Sequence, residues 1–181
     1  MKDIFKVIKT RRSIRKWKKK KVPKRLIMKI LDLARYAPSS HNSQPWEFVV
    51  VDDKRKIKQL MKARNGESNK MEPPLIIAVC VDIKRSPFRW IEDGSVAAEN
   101  ILLVAHALGL GAVWLTAYKH PIYLKRSKIE KTIVKVLGLP KFIRPLCLIA
   151  MGYPDEKPAE KPMRELKTMI HYNKFGVYKR C

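Results

Sequence analysis

The 181-residue chain is 46% hydrophobic and 31% charged, which suits one folded domain with a sizeable core and excludes a disordered chain. No apolar run approaches the roughly 20 residues that span a bilayer. The start, Met1-Lys2-Asp3-Ile4, lacks an export-signal core, so a cytoplasmic protein is expected. A formal charge of +24 invites a nucleic-acid reading, but the lysines are spread along the whole chain. An abundance of Lys with few Gly also suits a thermophile or a salt-rich cytoplasm, so charge alone decides little.

Helical and strand patterns alternate. Ile4, Val7 and Ile8 have helical spacing, and Pro23 can open a second helix whose apolar face is Leu26, Ile27, Ile30, Leu31 and Ala34. Residues 48–51 read as a strand, and Asp52 or Asp53 can cap a short helix bearing Ile57, Leu60 and Met61. Residues 75–81 form a continuous apolar run, the mark of a central strand buried on both faces. A helix is expected over 94–108, apolar nearly all round from Ile101 and therefore deep in the core, ending at Gly109. Residues 112–117 read as a strand. Ser127 with Glu130 makes a capping box for a helix through Leu137 that stops at Gly138 and Pro140. Residues 146–151 are the last clear strand. Pro154, Pro158 and Pro162 then describe an extended arm over about 154–181, for which a partner subunit is the natural docking place. The whole predicts a single layered α/β or α+β domain over residues 1–181.

Cys80 and Cys147 sit in strand-like apolar runs; with Cys181 they read as structural thiols in a reducing cytosol, and none has metal-ligand spacing. His41, His106, His120 and His171 are scattered, with no nucleophile–base pattern, and His106 reads as a hydrogen-bonded core histidine. Gly109-Leu110-Gly111 lacks the third glycine and preceding strand of a dinucleotide fingerprint.

Two segments concentrate polar chemistry. Residues 11–25 hold ten basic residues. Arg11, Arg12, Ser13 and Arg15 cluster after the first helix, where guanidinium forks and a hydroxyl can converge on one phosphate. The lysines after Trp17 are point charges on a turn, best read as solvated. In residues 37–46, two prolines stiffen a loop dense in Ser, Asn, Gln and Trp, a set suited to a flat heteroaromatic ligand with hydrogen-bonding edges.

Arg11-Arg12-Ser13-Ile14-Arg15, Ala34-Arg35-Tyr36-Ala37-Pro38-Ser39-Ser40 and Asn42-Ser43-Gln44-Pro45-Trp46 resemble the N-terminal signature of the nitroreductase family. Residues 97–103 (AAENILL) and 107–111 (ALGLG) are similar to its central helix, and residues 148–154 (LIAMGYP) to its last core strand. The blocks occur in order over residues 3 to about 175. The resemblance implies an α+β, three-layer α/β/α domain, with a mixed, mostly antiparallel sheet around a buried central helix, in an intertwined homodimer. It implies FMN at the subunit interface: Arg11, Arg12, Ser13 and Arg15 on phosphate and ribityl, and Pro38, Ser39, Ser40 and Asn42 of the partner copy, in a loop shared with Gln44, against the isoalloxazine. It further implies Leu115, Thr116 and Ala117 presenting backbone to the reactive flavin edge, where many members have glycine. Asn69 falls near a flavin-touching position, and Arg164, with Lys161, where the family supplies another phosphate ligand. Phe88, Trp90 and Tyr118 are candidate pocket aromatics, with core or surface roles equally open.

The activity implied is ping-pong electron transfer: NADH or NADPH reduces the flavin at N5, then a small electron-poor acceptor such as a nitroarene or quinone collects the electrons. No catalytic side chain is required, since the cofactor carries the chemistry. Specialised members dehalogenate or dehydrogenate instead. The rival reading, a basic nucleic-acid-binding protein, lacks a recognition element or aromatic-rich binding strand.

Overall fold

In the computed structural model, which describes residues 3–64, 66–118 and 127–178, the two most apolar runs of the sequence lie side by side. They are β2 (Leu75–Asp82) and β4 (Ile143–Gly152), antiparallel, with Leu75 opposite Met151 and Asp82 opposite Ile143. Every residue from 75 to 81 is at most 1% exposed, so no solvent-facing side demands polar alternation. β1 (Trp46–Val51) pairs outside β2, and β3 (Gly111–Thr116) pairs outside β4, giving the order β1-β2-β4-β3 with every ladder antiparallel. A parallel bridge from Ser13 to Ala112 adds the mixed element.

The two-residue period of a strand assigns its side chains to opposite layers. Leu75, Ile77, Val79 and Val81 pack with α2 (Lys24–Ala34) and α4 (Trp90–Ala107). Ile76, Ala78 and Cys80 pack with α3 (Lys54–Lys62) and α5 (Lys128–Leu137). The result is the expected three-layer α+β arrangement, with α1 (Ile4–Thr10) leading into it.

Caps mark the short helices. Asp53, rather than Asp52, caps α3 by accepting from the Lys56 N–H at 2.9 Å. This contact holds its carboxyl below the usual range, an effect opposed by slight burial. Ser127 caps α5 by accepting from the Glu130 N–H at 3.2 Å, but the Glu130 carboxylate is gripped by Arg144 of β4 at 2.9 and 3.1 Å. α4 begins at Trp90, four residues before the apolar periodicity suggests, because Trp90, Asp93 and Gly94 are themselves buried. Its C-terminal half buries Ile101, Leu102 and Ala105, while Leu103, Val104 and Ala107 are only half-buried in a single chain.

Cys80 and Cys147 are free and buried. Burial raises both thiol pKa values, with smaller contributions from Glu47 on Cys80 and from Cys80 on Cys147; Cys80 is pushed up to about 12. His106 bonds Thr10 Oγ1 through Nε2 at 2.8 Å. Cys181 and His120 lie outside the described residues. The C-terminal arm is exposed throughout residues 157–170, with Met163 and Leu166 standing out from the body.

Candidate functional site

The basic segment is strapped across one end of the sheet. After α1 the chain runs extended, and the Ile14 N–H donates to Ala112 O at 3.1 Å. Trp17 Nε1 donates to Gly111 O at 2.8 Å, and the Lys18 N–H to Tyr153 O at 2.9 Å. Gly111 is required by the close approach: a Cβ there would stand 2.7 Å from Ile14 side-chain atoms. The strap thereby fixes Arg11, Ser13 and Arg15 within one short stretch beside the start of β3.

The four expected ligands differ in what their side chains already touch. Arg12 turns back, donating from Nη1 to the carbonyls of Lys9 and Arg11, each at 2.8 Å; these are carbonyls at the C-terminal end of α1, where a cation is favoured. Arg11 lies 3.7 Å from Glu99 of α4, an exposed and weak pairing. Ser13 is half-buried and Arg15 exposed. The Glu156 carboxylate accepts from the N–H groups of Arg15 and Lys16, the latter at 3.1 Å, so the backbone here already cradles one anion.

The polar loop lies at the other end of the sheet. Ser40–Asn42 forms a single tight turn, and His41, Asn42 and Gln44 have φ of 51°, 51° and 45°. Three non-glycine residues in the left-handed region within four positions is costly backbone, of order 1 kcal/mol or more each. Local bonds fix it: the Gln44 N–H donates to Ser39 Oγ at 3.0 Å and Gln44 Nε2 to Asn42 Oδ1 at 3.1 Å. One bond is long-range. The Ser40 N–H donates to Oδ1 of Asp93, a residue 5% exposed at the start of α4, at 2.9 Å. Ser39 and Ser40 are half-buried, whereas Pro38, Asn42 and Gln44 face solvent.

β3 runs between these ends along the open edge of the sheet. Ala112 O accepts from the Ile14 N–H, and Thr116 O from Arg64 Nη1 at 2.5 Å, so Ala112, Trp114 and Thr116 turn their backbone groups outward. Ala117 does not fit the expected role: its N–H donates to Leu146 O at 2.9 Å and its side chain is fully buried. Leu115 is buried in the core too, which leaves Thr116 as the open backbone position. Arg64 is half-buried with its Nε hydrogen-bonded to nothing among the described residues, and desolvation lowers its pKa. Of the aromatic candidates, Trp90 packs edge-to-face on Tyr118 at 5.3 Å and under the Arg144 guanidinium at 4.6 Å, as part of the core. Phe88 is 89% exposed.

Separation is the decisive geometry. The Ser13 bridge is level with Met151 of β4, and Pro45, whose carbonyl accepts from the Asp82 N–H, is level with Ile143. They are eight residue steps apart along the strand, roughly 25 Å, more than one mononucleotide spans. From Ala112 to Thr116 is only about 13 Å. A single chain thus joins the basic strap to Thr116 and Arg64, but not to its own loop 38–44. Asn69 is exposed in the turn Gly66–Lys70, and Lys161 and Arg164 are exposed in the arm. None of these three makes a hydrogen bond or ion pair to the strap among the described residues. A cleft of about 660 Å³ between α3 and α5 is lined by none of the expected ligands.

Asp93, Arg64, Glu99 and Glu156 were not among the sequence candidates. An acid beside a glycine in an apolar helix (Asp93-Gly94) could have signalled a buried carboxylate; nothing local marks the other three. Among the described residues no His, Cys, Asp and Glu cluster could hold a metal ion, and no described helix is long and apolar enough to cross a membrane.

Residues 8–78 and 79–153 match a family profile described as the Nitroreductase family. A Methanothermobacter thermautotrophicus protein, provisionally named NADH dehydrogenase/NAD(P)H nitroreductase, is 37% identical over 96% of this chain and 88% of its own. A solved structure from Bacteroides thetaiotaomicron with the same provisional name is 38% identical, TM-score 0.85, over 95% of this chain and 98% of that one. An FMN-dependent nitroreductase structure from Clostridium difficile is 37% identical, TM-score 0.84, over 94% and 99%.

Proposed function

The chain belongs to the nitroreductase family, and from that premise we propose an FMN-dependent oxidoreductase that moves electrons from NADH or NADPH to a small electron-poor acceptor, a nitroarene or a quinone. The observation that carries the reading is the strap: a weakly paired arginine, an exposed arginine and a serine, locked beside an outward-facing strand edge whose far end carries a half-buried arginine. When bound, FMN supplies the hydride exchange that none of these side chains can perform.

The donor set suits FMN. Arg11, Ser13 and Arg15 hold the phosphate, the two guanidinium groups through charge-assisted contacts. Lys161 and Arg164 are further candidates, brought in by the arm. Arg12 instead closes the end of α1 and keeps its neighbours in place. Thr116 offers the open backbone donor at the strand edge, and Asn69 lies in the turn that follows α3. Arg64 places positive charge beside that edge, favouring added electron density on a neighbouring group.

Pro38, Ser39, Ser40, Asn42 and Gln44 complete the site from a second copy of the chain. Support comes from the roughly 25 Å between strap and loop, from the half-buried apolar face of α4, and from an arm whose Met163 and Leu166 are 72% and 67% exposed. A homodimer with two-fold symmetry would supply both sites at once. The buried free thiols Cys80 and Cys147 suit a reducing cytoplasm.

The test is direct. Purified protein should be yellow, with a flavin absorbance band that bleaches on anaerobic addition of NADH or NADPH and returns with a nitroarene or quinone. A colourless protein that refuses added FMN and copurifies with nucleic acid would overturn the reading.

A further inference from the structure

We propose that Asp93 is a positioning residue that holds loop 39–44 in the conformation the flavin site needs, and that it acts on the site of the partner copy. The inference rests on the flavin reading above for its consequence, but the contact itself stands on geometry. The loop carries three left-handed non-glycine residues, and such backbone persists only when its surroundings over-determine it. The loop's own bonds tie Ser39, Asn42 and Gln44 to one another. The Ser40–Asp93 bond instead ties it to the body of the molecule, across 53 positions of sequence.

Asp93 is well placed for that task. It lies in the first turn of α4, where a carboxylate is favoured by the helix's exposed N–H groups. Its neighbour Gly94 seats the helix hard on the sheet: a Cβ there would lie 2.6 Å from Leu146 Cδ2 and 2.7 Å from Val81 Cγ2. A carboxylate on so fixed a backbone gives the loop a rigid anchor. Its Oδ2 is buried and hydrogen-bonded to nothing among the described residues, so the carboxylate carries a desolvation cost that the Ser40 bond offsets in part.

The test compares Asp93→Ala, Asp93→Asn and Ser40→Pro with the wild-type protein, using hydrogen exchange at the amides of Asn42, Ser43 and Gln44 and titration with FMN. Asp93→Asn keeps an oxygen that can accept the Ser40 N–H, and Ser40→Pro removes that N–H without touching α4. Asp93→Ala and Ser40→Pro should each speed exchange at the three amides, and each should weaken FMN binding about tenfold or more, as loss of a charge-assisted hydrogen bond implies. Asp93→Asn should restore most of both. Wild-type exchange in Asp93→Ala, or equal losses in Asp93→Ala and Asp93→Asn, would overturn the proposal. If Asp93→Ala does not fold, Ser40→Pro decides by exchange at the three amides alone, because Ser40 also faces the flavin. If no variant, nor the wild type, binds FMN while the loop amides still lose protection, the flavin reading fails and the anchor stands.

Discussion

At the Gly152 end of β4 the chain presents charge to solvent. Arg11 and Arg15 are partly or wholly exposed, the Arg11–Glu99 pairing is long, and the backbone N–H groups of Arg15 and Lys16 hold a carboxylate. At the Ile143 end two carboxylates are buried and held by hydrogen bonds. Glu130 is 1% exposed and gripped at two points by Arg144, which also lies over the Trp90 ring, and Asp93 is 5% exposed and bonded to the loop. The difference separates two tasks. An exposed cationic strap can give up weak partners and take an anion, whereas a buried carboxylate keeps a strained loop in one shape.

That contrast predicts opposite responses to mutation. The largest effect on stability should come from Glu130→Ala, which leaves Arg144 without its partner in a site with little solvent. A loss of about 3–5 kcal/mol is expected in denaturant unfolding. Next, Arg11→Ala with Arg15→Ala should leave stability nearly unchanged while weakening FMN by about a hundredfold or more, since each contact is worth about 1.5–3 kcal/mol. Equal loss of stability in the two variants would erase the distinction between the ends. Gly111→Ala should do some of both: the strap must shift by the overlap with Ile14, at about 1–3 kcal/mol, and FMN affinity should fall with it. Arg12→Ala should weaken FMN far less than Arg15→Ala, because its guanidinium is already engaged with α1 carbonyls. Smallest of all is the response of the sheet's centre. Cys80 and Cys147, their pKa values raised by burial, should resist alkylation at pH 8 in the native protein and react once it is unfolded.

The elements that carry this contrast were legible to different degrees. Residues 75–81 read as a central strand because burial on both faces removes the need for alternation, and the cap at Ser127 followed from side-chain chemistry within one turn. The strap was legible as an arginine–serine cluster. That Arg12 folds back was not, because nothing in its residue type distinguishes it from Arg11 and Arg15. Glu130 read as half of a capping box, yet β4 supplies Arg144, fourteen positions on, as its partner. Ala117 read as part of the open strand edge, but pleat alternation turns it inward and leaves Thr116 outward. Asp93, Arg64 and Glu156 matter through contacts that span 53, 52 and 141 positions, and no local pattern encodes such pairings. The roughly 25 Å between strap and loop likewise follows from strand length and register, which no local pattern encodes.

The central claim is that each flavin site draws its strap from one copy and its loop from another. A mixed-dimer experiment tests it. One variant carries Arg11→Ala with Arg15→Ala, the other Ser39→Ala, Asn42→Ala and Gln44→Ala, and each alone should bind FMN poorly. Refolded together, they should form mixed dimers in which one site has both defects and the other has none, so tight FMN binding and NAD(P)H-driven bleaching should return. Mixed dimers that form, as seen by native mass spectrometry, without any recovery of tight binding would contradict the account.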